Sequence, residues 1–451
     1  MEFKDKNYLF LILLHALIGV LVYSIPGFSK LYGFSILFVS LYFIIKTRNR
    51  NNEVLYAAAY IVGSEVFLRM TNGNISHEFS KYGVMLFLSM GMFYSGFSKN
   101  AVPYWIYLIL LIPGVIIATY TLNLTTVDIR KTIMFNISGP LCLGFASLYC
   151  YNRKISIGEI NNILLVMGLP IIACTIYLIL YTPSDIKTVL TGTGSNAETS
   201  GGFGPNQVST ALGLGMFIFF ARVMLISRTK LLFATNLIIA VLMTYRGLIT
   251  FSRGGVITGF LMLIILLYFV YINSKYKGKV KLNYMIVLTG LLMLGIWFYT
   301  ESKTDGLISK RYQNKDALGR VKGSNFTGRE EIAASEINAF LDNPFFGIGV
   351  AKGTELRLEQ TGEVVASHNE ITRLLCEHGS LGALILLILF STPIFLYLDN
   401  KQNIYLFCFL IFWLLTINHA AMRTASPSFI YALSLLKIQF KQDEEVALHR
   451  E

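Results

Sequence analysis

A histidine and two arginines stand out by type and spacing in an otherwise apolar chain. Arg246 and Arg253 bracket Gly247-Leu248-Ile249-Thr250-Phe251-Ser252, and Gly254-Gly255 follow at once. An arginine inside a membrane protein is costly to bury unless it is paired. Glycines beside it let a second backbone or a ligand come close. The competing reading is that each guanidinium snorkels to lipid headgroups, and the residues alone leave both open. His368 lies in Ser367-His368-Asn369-Glu370-Ile371-Thr372-Arg373-Leu374-Leu375-Cys376-Glu377-His378-Gly379. An imidazole with an ordinary pKa of ~6.5 can take a proton from a hydroxyl at neutral pH, although on position alone a polar residue at a helix start is the better explanation. His368 and His378 are ten residues apart with no HExxH pattern, so a zinc site is not expected. His15 and His419 fall in or at the ends of apolar runs, and His77 and His449 read as loop residues.

The elements that must position these groups are membrane helices. Of 451 residues, 54% are hydrophobic and 14% charged, against roughly 25% charged in soluble domains, and the mean hydropathy is +0.58. So few charges cannot cover a soluble protein of this size. A bilayer core of ~30 Å takes ~20 apolar residues per helix. Such runs lie near 8–25, 29–45, 54–70, 82–97, 102–120, 132–150, 160–181, 206–221, 231–249, 255–273, 283–300, 376–397, 403–418 and 427–439. The expectation is an all-α polytopic integral membrane protein with about 12–14 transmembrane helices. The first run lacks a cleavage context after Tyr23-Ser24-Ile25-Pro26 and reads as a helix, not a signal peptide.

The net charge of +12 is explained by topology. Segments 1–7, 46–53, 98–101, 151–159, 222–230, 274–281, 398–402 and 437–451 hold 19 of the 38 Lys and Arg and nine acids, a net +10. By the positive-inside rule both termini and these loops are cytoplasmic, so the basic balance gives no reason to expect a nucleic-acid partner. The five cysteines (Cys142, Cys150, Cys174, Cys376, Cys408) sit in or beside apolar runs and read as small core residues.

Four segments follow: N-terminal helices 1–181, central helices 182–300 with the arginines, a large extracytoplasmic loop 301–370, and C-terminal helices with a cytoplasmic tail at 371–451. The Gly-rich stretch 182–205 lacks a P-loop lysine and reads as a turn back into the helix at Asn206, placed near its N-cap. Loop 301–370 is long enough to be functional. Its stretch 328–341 reads as an amphipathic helix with Ile332, Ile337, Phe340 and Leu341 on one face, able to lie on the membrane surface and roof a cavity. The one mid-span acid that stands out is Glu65, with Arg69 one turn on.

Together, Ser252-Arg253-Gly254, Gly328-Arg329 with Asn343-Pro344 and Gly347-Ile348-Gly349, and His368-Asn369 leading to Glu377-x-Gly379-x-x-Gly382 resemble the O-antigen ligase and O-antigen polymerase superfamily of bacterial surface-glycan enzymes. Phe203-Gly204-Pro205-Asn206 is similar to the Asn-containing start of that family's preceding helix. The resemblance spans residues 200 to 390. It implies a GT-C-like membrane glycosyltransferase in the bacterial cytoplasmic (inner) membrane, with its site facing the periplasm. The implied reaction moves a glycan en bloc from undecaprenyl diphosphate to an acceptor sugar hydroxyl. It is inverting, needs no metal or other cofactor, and in the ligase branch, favoured here, uses lipid A–core in lipopolysaccharide biosynthesis. Carried over by motif, Arg253 and Arg329 would bind the diphosphate and His368 would activate or position the acceptor hydroxyl. Asn369, Glu377 and Asn206 would support them, and Arg246 is added from its spacing alone. The alternatives are an O-antigen or exopolysaccharide polymerase and, from a different class, a lipid-linked oligosaccharide flippase. A flippase should carry ionisable residues along a central pathway, whereas the polar residues here collect at the outer boundary.

Overall fold

The computed structural model of the chain describes residues 5–123, 128–323, 329–362 and 366–439. Gly328, His449 and the end of the expected cytoplasmic tail therefore lie outside the described residues. The first half is α1 (Asp5–Ser24), α2 (Phe28–Thr47), α3 (Glu53–Met70), α4 (Phe79–Ser95), α5 (Val102–Thr121), α6 (Ile129–Cys150) and α7 (Ile157–Tyr181). The centre is α8 (Pro205–Leu225), α9 (Lys230–Leu248), α10 (Arg253–Asn273) and α11 (Tyr276–Lys303). The large loop supplies α12 (Leu307–Tyr312), α13 (Arg329–Asp342) and α14 (Lys352–Thr361). It leads into α15 (Glu370–His378), α16 (Ser380–Asp399), α17 (Leu406–His419) and α18 (Ser426–Leu433). The one sheet among the described residues is a parallel pair, β1 (Lys154–Ser156) with β2 (Lys437–Gln439), in which Ile155 faces Ile438.

The chain is an all-α polytopic membrane protein. Among the described residues, ten helices are long and apolar enough to cross a bilayer: α1, α2, α5 to α11 and α16. The other four apolar runs fall short for separate reasons. Helix α3 has the length but carries Glu53, Glu65 and Arg69, while α4 has 17 residues, α17 has 14 and α18 has eight. At 1.5 Å per residue, 14 residues reach only ~21 Å.

Two expected spans are redrawn. The run 376–397 is broken at Gly379, whose φ of +61° ends α15 and starts α16 in a new direction. A Cβ there would meet the Phe345 carbonyl carbon at 2.7 Å, so the break is also a close approach. The run 427–439 is no lipid-facing helix. All eight residues of α18 are buried, and the chain then leaves for β2. Its apolarity serves protein packing, which hydropathy cannot tell from lipid contact.

Burial separates lipid-facing helices from central ones. Leu13, Phe38, Ile109, Leu291 and Phe395 on α1, α2, α5, α11 and α16 are all more than half exposed, as expected where the solvent is hydrocarbon. Helices α3, α7 and α8 are buried along most of their length. Helix α8 meets α10 through glycines. A Cβ on Gly213 would fall 2.0 Å from the Gly255 carbonyl oxygen, and one on Gly255 2.1 Å from that of Ser209. Small residues of this kind let membrane helices touch backbone to backbone. The contact sets the first turns of α8 and α10 side by side, bringing Asn206 to the start of α10.

Candidate functional site

The turn that presents Arg253 is tied on every side. Phe251 sits in the left-handed region at φ +57°, unfavourable for a residue with a Cβ. Its carbonyl accepts from Arg311 Nε at 2.9 Å. The flanking carbonyls of Ile249, Thr250 and Ser252 accept from Thr199 Oγ1 (2.6 Å), the Asn196 N–H (3.0 Å) and Ser209 Oγ (2.7 Å). Ser252 Oγ donates to Asn206 Oδ1 at 2.7 Å. Asn206 thus lies inside α8, whose N-cap is Gly204, and braces the arginine turn. Arg253 opens α10 and donates through Nη1 to the Arg311 carbonyl at 3.4 Å.

Arg246 faces the other way. It is 4% exposed, and its Nη2 donates to the carbonyls of Leu178 (2.8 Å) and Thr199 (3.2 Å) and to Thr182 Oγ1. It fastens the end of α7 to the turn 198–200. The Gly-rich loop beside it packs as well, since a Cβ on Gly201 would strike Met70 Sδ at 2.0 Å. The spacing that suggested a pair with Arg253 is thus not realised, because the two side chains leave the turn in different directions.

The large loop 301–370 brings in more cations. Helix α12 carries Arg311, whose Nη2 reaches Ser195 Oγ at 3.4 Å, and α13 starts at Arg329. Of the expected apolar face of α13, Ile332, Ile337 and Phe340 are partly buried and Leu341 is not. The helix's buried residue is Glu336, while Leu341 is 65% exposed. The Glu336 carboxylate accepts from Arg357 Nη1 (3.0 Å), Ser367 Oγ (3.2 Å) and Thr372 Oγ1 (2.6 Å). It thereby fixes the helix that bears Arg329 to the residue next to His368.

His368 precedes α15, whose N-cap is Asn369, with Oδ1 accepting from the N–H of Ile371 (2.9 Å) and Thr372 (3.4 Å). Asn369 therefore sets the direction of the helix behind the histidine. At the other end of α15, Glu377 Oε1 accepts the Ala351 N–H at 2.8 Å and Oε2 meets Arg373 Nη1 at 3.4 Å, while Arg373 also pairs with Glu370. Ile348 and Gly349 donate to the carbonyls of Cys376 and Glu377. Gly347 and Gly349 hold φ of +70° and +96°, and a Cβ on Gly347 would lie 2.5 Å from the Glu377 backbone. Glu377 and the glycine pair clamp the large loop to α15.

Arg253, Arg311, Arg329 and His368, with Arg423 and His419, form one electrostatic cluster. Burial and then the charges of Arg253 and Arg329 pull Arg311 below the usual guanidinium range. Burial and then Arg253 do the same to Arg329, and burial, Arg329 and Arg373 do so to Arg423. Arg423 Nη2 donates to the Ser367 carbonyl at 3.1 Å. Among the described residues no carboxylate forms an ion pair with Arg311, Arg329 or Arg423. The His368 imidazole is lowered from 6.5 to about 4, by burial first and then by Arg423 and Arg329. Its Nδ1 is buried with no hydrogen-bond partner. His419 closes the ring: its Nε2 is 3.1 Å from Thr210 Oγ1, and a Cβ on Gly254 would lie 2.7 Å from its imidazole.

Arg311, Arg423, His419 and Glu336 were not singled out in the sequence. Arg423 was within reach, since it stands in a short turn between apolar runs like Arg253. Arg311 and Glu336 are two of many charges in a long polar loop, and only the fold separates them.

Residues 238–387, about a third of the chain, match the O-antigen ligase family model. No curated protein matches the chain. The matched stretch contains Arg246, Arg253, Arg311, Arg329, His368 and Glu377, and it ends before His419 and Arg423. Over this stretch the chain is similar to the O-antigen ligase family.

Proposed function

We propose that the protein is an O-antigen ligase, a membrane glycosyltransferase that moves a glycan from undecaprenyl diphosphate to a hydroxyl of lipid A–core. The observation that carries this reading is the cluster of Arg253, Arg311, Arg329 and Arg423, of which Arg329 and Arg423 act on His368, and in which three of the cations lack a carboxylate partner among the described residues. Such a cluster is unfavourable until a polyanion enters. A diphosphate gains charge as the anomeric C–O bond breaks, and preorganised guanidiniums stabilise that charge where it develops. Arg253 and Arg329 bind the diphosphate, and the charge they supply makes a divalent ion unnecessary.

The acceptor oxygen forms a new bond to the anomeric carbon from the face opposite the diphosphate. Its proton passes to His368, and undecaprenyl diphosphate departs with the electrons of the broken bond. One displacement inverts the configuration and leaves no glycosyl-enzyme. His368 is neutral at neutral pH. Donor binding offsets the field of Arg329 and Arg423, so the imidazole becomes more basic only once the anion is seated. The N-terminal and C-terminal ends lie in the cytoplasm, and the cluster faces the outside of the inner membrane.

The same cluster suits a polymerase, whose acceptor is another lipid-linked glycan. Purified protein, a lipid-diphosphate glycan and both acceptors are mixed and the product analysed. Glycan on lipid A–core supports the ligase, and lengthened lipid-linked glycan identifies a polymerase. Vesicle-to-vesicle movement of intact donor without transfer would overturn the enzyme reading in favour of a flippase.

A further inference from the structure

The N-terminal helices carry a buried charge cluster that the transfer chemistry does not use. Glu65 on α3 is 1% exposed, and its Oε1 lies 2.9 Å from Arg69 Nη2. Arg69 Nη2 is 3.5 Å from Glu78 Oε2, which lies 2.6 Å from Lys81 Nζ, itself 3.1 Å from Ser138 Oγ on α6. Two acids and two bases thus brace α3, α4 and α6 with no net charge. The other Glu65 oxygen leaves this cluster and accepts the Ala425 N–H at 2.7 Å across 360 residues.

Ala425 ends the turn between α17 and α18, and that turn lies against the site. Ala421 N–H donates to the His368 carbonyl at 3.2 Å, and Arg423 Nη2 donates to the Ser367 carbonyl. Ala421 is left-handed at φ +51°, so the turn is locally unfavourable and needs outside support. Met422 is packed against Gly139 of α6, where a Cβ would lie 2.6 Å from the Met422 Cβ. A buried ion pair is a weak source of stability, because desolvation offsets most of its Coulomb gain. What Glu65 supplies that a packed leucine would not is a charged acceptor aimed at one backbone N–H.

We propose that Glu65 is a positioning residue: through the Ala425 N–H its carboxylate holds the turn that places Arg423 beside His368. The role rests on the transfer reading, but the placement of Arg423 can be read without any substrate. Full-length wild type, Glu65→Gln, Glu65→Asp and Glu65→Ala are treated with phenylglyoxal, and modified arginines are located by peptide mass spectrometry. Gln keeps an acceptor for Ala425, Asp withdraws it by one methylene, and Ala removes it. Modification of Arg423 should rise several-fold in Glu65→Ala and Glu65→Asp but not in Glu65→Gln, with the buried Arg246 protected throughout. Equal labelling of Arg423 in wild type and Glu65→Asp would overturn the proposal, as would a rise in Glu65→Gln matching that in Glu65→Ala. If Arg246 is exposed in Glu65→Ala, that variant has misfolded and the Asp–Gln comparison decides.

In the transfer assay, Glu65→Ala should lower kcat/KM about tenfold, the worth of one good hydrogen bond. It should cost nothing further when Arg423 is already Ala, and additive losses would show that Glu65 does not act through Arg423. An inactive wild type would sink the transfer reading while leaving the labelling result intact.

Discussion

The acidity of His368 offers a quantitative test of the site. An isolated imidazole near pKa 6.5 is only about 3% neutral at pH 5, whereas one at about 4 is about 90% neutral. If the neutral form accepts the acceptor proton, kcat/KM for the donor follows the free enzyme. It should stay nearly flat from pH 7 to pH 5 and fall only as the pH drops through about 4. The sign follows from the cause: burial and two cations disfavour the imidazolium, so activity is present above the depressed pKa and lost below it. Arg329→Gln removes one of the cations. The acid limb should then move up from about 4 yet stop short of 6.5, since burial, the largest cause, remains. The assay is the initial rate at low donor from pH 3.5 to 8 at constant ionic strength, with detergent-solubilised protein checked for monodispersity at each pH. A wild-type limb near 6.5, or one that stays put in Arg329→Gln, would refute this electrostatic picture. A limb unchanged in His368→Gln would take the histidine out of the reaction.

The guanidinium geometry is tested by Arg253 and Arg329. Alanine at either should weaken donor use strongly, and lysine should recover only part, because it keeps charge but loses the fork; equal kinetics for the Ala and Lys variants would reject diphosphate binding. Glu377→Ala removes the acceptor of the buried Ala351 N–H and one partner of Arg373, which should cost about 3–5 kcal/mol. Glu377→Gln should cost less, both read as thermal unfolding midpoints in detergent. Gly255→Leu would push a side chain into the Ser209 backbone, where even a Cβ lies at 2.1 Å. Folded yield should collapse, measured as the monodisperse fraction, while Gly290→Leu on the open face of α11 should be tolerated.

Much of the fold could be read from the sequence because bilayer thickness and helix rise fix the length of an apolar run. The runs behind α1, α2 and α5 to α10 lie within a few residues of the observed helices, and α11 begins seven residues before its run. The run 427–439 misleads because hydropathy measures dryness, and α18 is dry because protein surrounds it. The break at Gly379 escaped for a different reason, since a glycine within an apolar run carries no sign of its φ. At the site, the rule that a short outer turn has no topogenic need for arginine located both Arg253 and Arg246. It could not say which way each points, and only Arg253 lies in the arginine cluster. Arg423 satisfied the same rule and was overlooked. The partners of Glu336 and of Glu65 were beyond reach, because each acts across the fold, on Ser367 31 residues away and on Ala425 360 residues away.

The central claim is that arginines at the outer boundary, with His368, carry out an inverting glycosyl transfer without a metal. It is met most directly by transfer from a defined lipid-diphosphate glycan in the presence of EDTA, with the anomeric configuration of the product determined by NMR. Full activity and an inverted linkage are expected in the wild type, with loss of product in Arg329→Ala and His368→Ala. A retained linkage, or activity that returns only when a divalent cation is added, would contradict it.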